Sequence, residues 1–454
     1  MKRIKEIAVL VAGSVAEFCK KTVSSKHLKH YAPLAVVTIV AVMTLITCVS
    51  GKPKEPDPEP EPPAVIVTPP PTTPPVVTTP PSPSPEPDPE PDPEPDPEPD
   101  TGFRNPLTGL QTEEDISTRR PFAIVVNNHS DAMPQVGISK ADIIYEFLVE
   151  GEITRMLALY QDITDVGVIG SIRSARHYIV DLAQSYDAIF MFAGWSPQAE
   201  EALKSRKIDY FDETHNRGPE MYYRDQDRRV KNGSEHSLML SISRVNEHLP
   251  KYNLRMEVEE GYERALSFVE VRVPDDVAPD DGLPDDGLPE DGLPDDRVPV
   301  SETPVSEPPT VETPAIGPTA GGEAALEFIV RFGPNSKTTG FSFSDETGLY
   351  KLRQHGSAYI DGGNNEQVAV TNVLILKMAT AGIRGDTAGR LDITTLGSGE
   401  GYYVNGGAYV DIRWSRESET SQFRYTLTDG SELLLGRGKT YICLIRTNGS
   451  VDFA

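Results

Sequence analysis

From Pro85 to Pro99 every second residue is proline, and each position between is Asp or Glu. Proline withholds the backbone donor and the like charges repel, so this stretch builds neither helix nor sheet and extends as polyproline II. At about 3.1 Å per residue, the roughly fifty residues from 52 to 102 reach on the order of 150 Å. The sequence therefore predicts a disordered Pro/Asp/Glu stalk that carries something else.

What precedes the stalk anchors it. Residues 32–51, "APLAVVTIVAVMTLITCVSG", hold no charged side chain, long enough to cross a bilayer as a helix. Residues 1–31 form a basic leader, with Lys20, Lys21, Lys26 and Lys29 ahead of the apolar run. The positive-inside rule then leaves the N-terminus in the cytoplasm and everything after residue 51 outside. "LITC", Leu45–Cys48, resembles the lipobox of bacterial lipoproteins, with Thr47 in place of the usual small residue. Two readings stay open: a lipoprotein signal with Cys48 lipidated, or an uncleaved signal anchor. Both tether the chain to the cell membrane on its outer face. Of the three cysteines, Cys19 and Cys48 flank or end the apolar run and Cys443 sits in the strand-like "KTYICLIR", so no disulfide framework is available.

A second low-complexity stretch, 274–323, repeats "PDDGLPDDGLPEDGLPDD" and reads as a disordered acidic insert. Its five-residue spacing does not fit the twelve-residue calcium loop of an EF-hand. The net charge of −26 belongs mostly to these linkers: about −10 in 51–100 and −13 in 274–323, against +5 in the first thirty residues. No nucleic-acid partner is expected, but the overall acidity is not the reason.

Two regions between the linkers read as folded, and the predicted class is α+β: an N-terminal mixed-sheet α/β domain over 103–250 and a C-terminal β-rich domain over 324–454. The β-rich domain is expected to start before the insert, in 251–273. "RPFAIVVNNH" reads as a buried strand. "ADIIYEFLVEGEITRMLALYQ" reads as a hairpin; with Gly151-Glu152 as a two-residue turn, Leu148 pairs with Arg155 and Glu146 with Leu157. On that register Glu146, Glu150 and Arg155 share one face as an ion-pair network. A helix follows, capped by Ser171 or Ser174 and running to about Tyr186, then a strand "DAIFMFAG", then a second helix with Ser196 as cap and Pro197 in its first turn. Past Val368 the chain reads as strands, with Asp429-Gly430 a hairpin turn.

Chemistry is sparse. Neither a Gly-x-Ser-x-Gly elbow nor a His-Glu-x-x-His pattern occurs, and His129, His177, His215 and His236 are too scattered to compose a metal set; no metal or cofactor is expected. Glu146 and Glu150, about 13 Å apart along a strand, are too distant for a glycosidase pair. The stretch "GSIRSARHYIV" instead places Arg173, Ser174 and Arg176 at the mouth of a helix, where free backbone N–H groups favour anions. With Asn127, Asn128 and His129 at the end of the first strand, and Arg155 beside them, these residues form a candidate ligand-binding rim. The alternative is that Arg173 and Arg176 satisfy internal Glu and Asp residues, Asp181 or Asp187 included.

"RPFAIVVNNH", "PQVGISKADIIYEFLVEGEITR", "GSIRSARHYIVDLAQSYDA", "GWSPQA" and "GRLDITTLGSGEGYYVNGGAYVDIRWSR" resemble the YerB-type family of Gram-positive lipoproteins (domain of unknown function 3048, N- and C-terminal domains). The resemblance implies an anchored, outward-facing envelope protein and carries over no catalytic residue. Where the family is expected to read like "PHNLYTS", this chain has "EHSLMLS", with Glu235 and Ser237 beside His236. The function expected is a non-enzymatic binding module for an anionic cell-wall polymer or an envelope protein partner. Two alternatives are a peptidoglycan or glycan hydrolase using Glu146 or Glu150 as catalytic acid or base, and a pure protein-protein scaffold.

Overall fold

The computed structural model describes residues 102–269, 319 and 322–454. The leader, the uncharged segment with Cys48, the stalk and nearly all of the acidic insert lie outside the described residues, with the expectations made for them. Among the described residues no helix is long and apolar enough to cross a membrane.

The strands, in chain order, are β1 (Phe122–Asn127), β2 (Ile143–Leu148), β3 (Thr154–Tyr160), β4 (Val168–Gly170), β5 (Ile189–Phe192), β6 (Tyr210–Asp212), β7 (Tyr222–Arg224), β8 (Leu238–Ser241), β9 (Glu323–Ala324), β10 (Glu327–Arg331) and β11 (Thr338–Ser344). They continue with β12 (Leu349–Gln354), β13 (Ser357–Ala358), β14 (Ala369–Val370), β15 (Asn372–Met378), β16 (Thr380–Gly382), β17 (Leu391–Ile393), β18 (Gly397–Asn405), β19 (Ala408–Arg416), β20 (Arg424–Leu427), β21 (Thr440–Arg446) and β22 (Ser450–Phe453). The helices are α1 (His177–Ser185), α2 (Pro197–Arg206), α3 (Gln226–Asn232) and α4 (Ile242–His248).

An 11-stranded mixed sheet runs β20-β19-β18-β15-β21-β2-β3-β1-β5-β6, with β9 against β19. The N-terminal and C-terminal regions thus share one sheet, joined where β2 lies parallel to β21, Ile143 opposite Thr440 and Phe147 opposite Leu444. β2 is buried throughout and β21 in all but its last residue, and both are mostly apolar because both faces are covered, with Glu146 the one charged residue inside β2. Ile143, Tyr145, Phe147, Leu157 and Leu159 pack with Tyr178, Ile179 and Leu182 of α1 and Leu203 of α2. On the other face Ile144, Leu148, Met156 and Ala158 belong with Phe328, Phe341 and Tyr350 of a six-stranded sheet, β13-β12-β11-β10-β22 with β14 beside β12. This is the expected α+β class, with α1 and α2 on one side of the long sheet and, on the other, the six-stranded sheet together with Ile242 and Val245 of α4.

Local rules hold for α2, whose Ser196 hydroxyl accepts from the Ala199 amide, with Pro197 in the first turn. Two local expectations are corrected. Helix α1 begins only at His177, and neither Ser171 nor Ser174 caps it; Arg176 is its N-cap without a side-chain bond. The residues before it are held extended because Arg173 N–H donates to Val125 O and Ala175 N–H to Gly194 O. The β2–β3 hairpin forms, but Leu148 pairs with Thr154, Phe147 with Arg155 and Glu146 with Met156. Its loop is three residues, Glu150–Glu152, with positive φ at Gly151 and Glu152, closed by Val149 N–H to Ile153 O. One extra loop residue shifts the register by one and sends Arg155 to the opposite face from Glu146. The segment before the insert forms single bridges, Arg119 to Glu257 and Phe268 to Leu435, and no strand over its described residues.

Candidate functional site

The end of β1 and the chain entering α1 are stitched together: Asn127 N–H donates to Ser171 O at 2.8 Å, two residues before Arg173 returns a bond to Val125. Arg155 stands opposite Asn127 on β3. The juxtaposition expected of Asn127 with Arg155 and Arg173 is present. Arg176 places Nε 2.6 Å and Nη2 2.5 Å from Glu150 Oε1, so it satisfies an internal acid as the alternative expects, though that acid is Glu150 and not Asp181 or Asp187. Those two acids are held by Arg206 and by Arg255 with Arg120.

Arg155 is only 4% exposed, and its guanidinium donates through Nη1 to the Ser174 carbonyl at 2.6 Å. No carboxylate among the described residues lies within ion-pair distance of it. Burial, reinforced by Arg176 and Arg173 and opposed by Glu150, pushes its guanidinium down to about 9. Arg173 is one-quarter exposed, reaches Glu235 at 3.5 Å and the Glu235 carbonyl at 3.3 Å, and leaves Nε without a partner among the described residues. Burial lowers its pKa as well. The Arg173–Glu235 pair is exposed on its Glu235 side and 3.5 Å long, so it is weak, on the order of 1 kcal/mol. The rim therefore gathers three guanidiniums around two carboxylates, and one of the three is buried without a counter-ion.

Beside Arg173 lies a contact that sequence spacing conceals. His129 and His236, treated above as scattered, bring their ring centroids to 5.0 Å. His236 is buried, with Nδ1 3.0 Å from Asn127 Nδ2, and the same Asn127 accepts the His129 amide through Oδ1. Burial, with Arg173 and His129 close by, holds the His236 imidazole below its usual 6.5. The signal for this contact was the "EHSLMLS" stretch, where the family resemblance already marked His236.

Asn128 leaves the rim. It is fully buried and donates to Glu146 Oε1 at 2.9 Å and to Thr154 at 2.8 Å. Glu146, also fully buried, accepts from Lys337 Nζ and Thr154 at 2.6 Å each, and from Thr339 and Tyr441 at 2.7 Å. The expected Glu146–Glu150–Arg155 network is corrected: Glu146 pairs with Lys337 from the C-terminal region, Glu150 with Arg176, and Arg155 with no acid. Burial alone would raise the Glu146 carboxyl, but the charge and hydrogen bond of Lys337, with Thr154 and Tyr441, hold it below 4.5. Burial pushes the Lys337 ammonium down in turn, against the pull of Glu146. As it stands here, Glu146 is enclosed and paired, which favours a structural role over that of an acid or base for a glycan. Cys443, opposite Glu146 on β21, is buried and its thiol is pushed up by burial, as a packed apolar residue should be.

Two surface clefts lie elsewhere, one along Lys377, Glu400, Asp411 and Arg413, the other among Glu259, Glu260, Glu263, Arg416 and Arg424. Both mix signs of charge, as the rim does; what sets the rim apart is a buried guanidinium, Arg155, with no carboxylate within ion-pair distance among the described residues.

Sheet and rim together define a mixed-sheet protein whose two regions are fused through β2 and β21 and whose polar site is cationic. The chain belongs to the DUF3048 family: residues 107–255 match "Protein of unknown function (DUF3048) N-terminal domain" and residues 328–442 its C-terminal domain. A Bacillus subtilis (strain 168) protein named "Putative lipoprotein YerB" is 52% identical over 105 residues, which cover 23% of this chain and 31% of that protein. The crystal structure of the YerB protein from Bacillus subtilis matches 77% of this chain and 99% of its own, at 26% identity and a TM-score of 0.59.

Proposed function

We propose that this chain is a membrane-anchored, extracytoplasmic cell-envelope protein that binds an anionic ligand at the rim formed by Arg155, Arg173 and Arg176. The ligand is a carboxylate or phosphate of a wall polymer, or an acidic loop of an envelope partner. The observation that carries this reading is the buried Arg155 guanidinium, which donates to a carbonyl beside two neighbouring cations and, among the described residues, has no carboxylate within ion-pair distance, Glu150 acting on it only from farther off. Burying a charge without a counter-ion is costly, and an incoming anion offsets that cost. Arg173, partly exposed with a spare donor, supplies the entry point. The uncharged run 32–51 and the lipoprotein name of the Bacillus subtilis relative support the anchoring.

Inorganic phosphate, compared with chloride at equal ionic strength, should raise the melting temperature of the full-length chain in detergent. At a hundredfold excess over Kd the gain is about 2.7 kcal/mol. Arg173→Ala should lose most of that gain while melting cooperatively. No gain in the parent, or an equal gain in the variant, contradicts the reading.

A further inference from the structure

We propose that His129, Asp131 and His236 form a binding site for a divalent transition cation of the zinc class. One ligand atom from each residue lies within 4.8 Å of the other two. Two imidazoles and one carboxylate are the donor set that such an ion takes, whereas calcium and magnesium ask for oxygen alone. Ligands about 2.1 Å from a tetrahedral ion sit about 3.4 Å from one another, so the three must close in by about an ångström.

The residues that would move are free to. The Asp131 side chain is 59% exposed and the His129 side chain 36%, while His236 is buried and fixed. His129 Nδ1 already stands 3.7 Å from Asp131 Oδ2, across the short turn that His129 caps. A second carboxylate is at hand, since Glu235 Oε1 lies 3.6 Å from His236 Nε2. The neighbouring positive charge, Arg173, is paired with that same Glu235. Coordination replaces the hydrogen bonds that the ring nitrogens now make, from Asn127 Nδ2 to His236 Nδ1 and from the Asp131 amide to His129 Nδ1, or reverses the tautomers those bonds set. Three protein ligands leave a fourth position open to water or to an anionic group.

The site adjoins the rim through His129 and Glu235, but none of its three ligands is one of the arginines on which the anion reading rests, so the two can fail separately. The test is a titration of the EDTA-treated full-length chain with Zn²⁺ by calorimetry, repeated with Co²⁺ to read its visible absorption. One equivalent should bind, with the Co²⁺ spectrum of a four-coordinate nitrogen and oxygen site. His129→Gln and Asp131→Asn should each weaken binding at least tenfold while still melting cooperatively, His129→Gln at a slightly lower temperature because it loses the turn cap and the His236 ring contact. Arg173→Ala should leave Zn²⁺ binding in place even where it abolishes the phosphate effect. Absence of stoichiometric Zn²⁺ binding, or undiminished binding in His129→Gln, would overturn the proposal.

Discussion

Lys337→Met should destabilise the protein by about 3–5 kcal/mol, the penalty for leaving a buried charge without its partner. Lys337 Nζ is 2.6 Å from Glu146, and the two side chains are 7% and 0% exposed. Methionine fills the volume but strands the carboxylate among Asn128, Thr154, Thr339 and Tyr441. Adding Glu146→Gln should recover a large part of the loss, because both charges are then gone and the hydroxyls keep an acceptor. Denaturant unfolding of the two variants checks both statements; a Lys337→Met loss below about 1 kcal/mol would show the pair to be solvated. The pH dependence has a definite sign. The folded Glu146 carboxyl is held below its unfolded value of about 4.5, so its contribution is fully present above that value and is lost as pH falls through the lower folded pKa. The stability difference between parent and double variant should therefore be constant from pH 7 to about 5 and shrink only in more acid solution.

Asp361→Ala is expected to cost about 3–4 kcal/mol through orphaned donors. This carboxylate, 1% exposed, accepts from the Gly137 and Gly363 amides through Oδ1 at 2.9 and 2.7 Å, and from the Ser139 amide and hydroxyl through Oδ2 at 2.8 Å each. Three of the four bonds cross from the C-terminal to the N-terminal region, so this residue and Lys337 clamp the same two parts together. Asp361→Asn keeps the Oδ1 bonds but turns an NH₂ toward Ser139, and should lose about half as much. Equal losses in the two variants would mean that the Oδ2 contacts carry the whole effect.

Much of the fold could be read locally. Strand β1, helix α2 with its Ser196-Pro197 start, and the Asp429-Gly430 turn follow from composition and spacing within ten residues, and all are found. The hairpin of β2 and β3 was legible but its register was not, because loops of two and three residues suit the same Gly-containing sequence and differ in which face every later side chain takes. Contacts between distant residues left no local trace. Lys337 lies in "GPNSKTTG", 191 residues from the Glu146 it neutralises. His129 and His236 are likewise far apart in sequence. The rim was half legible: adjacency of Asn127 and Arg173 follows from parallel β1 and β5 and the chain between them, whereas Asn128 turning inward and Glu150 taking Arg176 depend on the hairpin register.

Co-sedimentation of the full-length chain with purified wall sacculi, beside Arg173→Ala at matched thermal stability, tests the central claim most directly. Binding by the parent that the variant loses, and that phosphate competes away, is the predicted result. Binding by neither protein, or by both alike, would contradict an anionic wall ligand at the Arg155–Arg173–Arg176 rim.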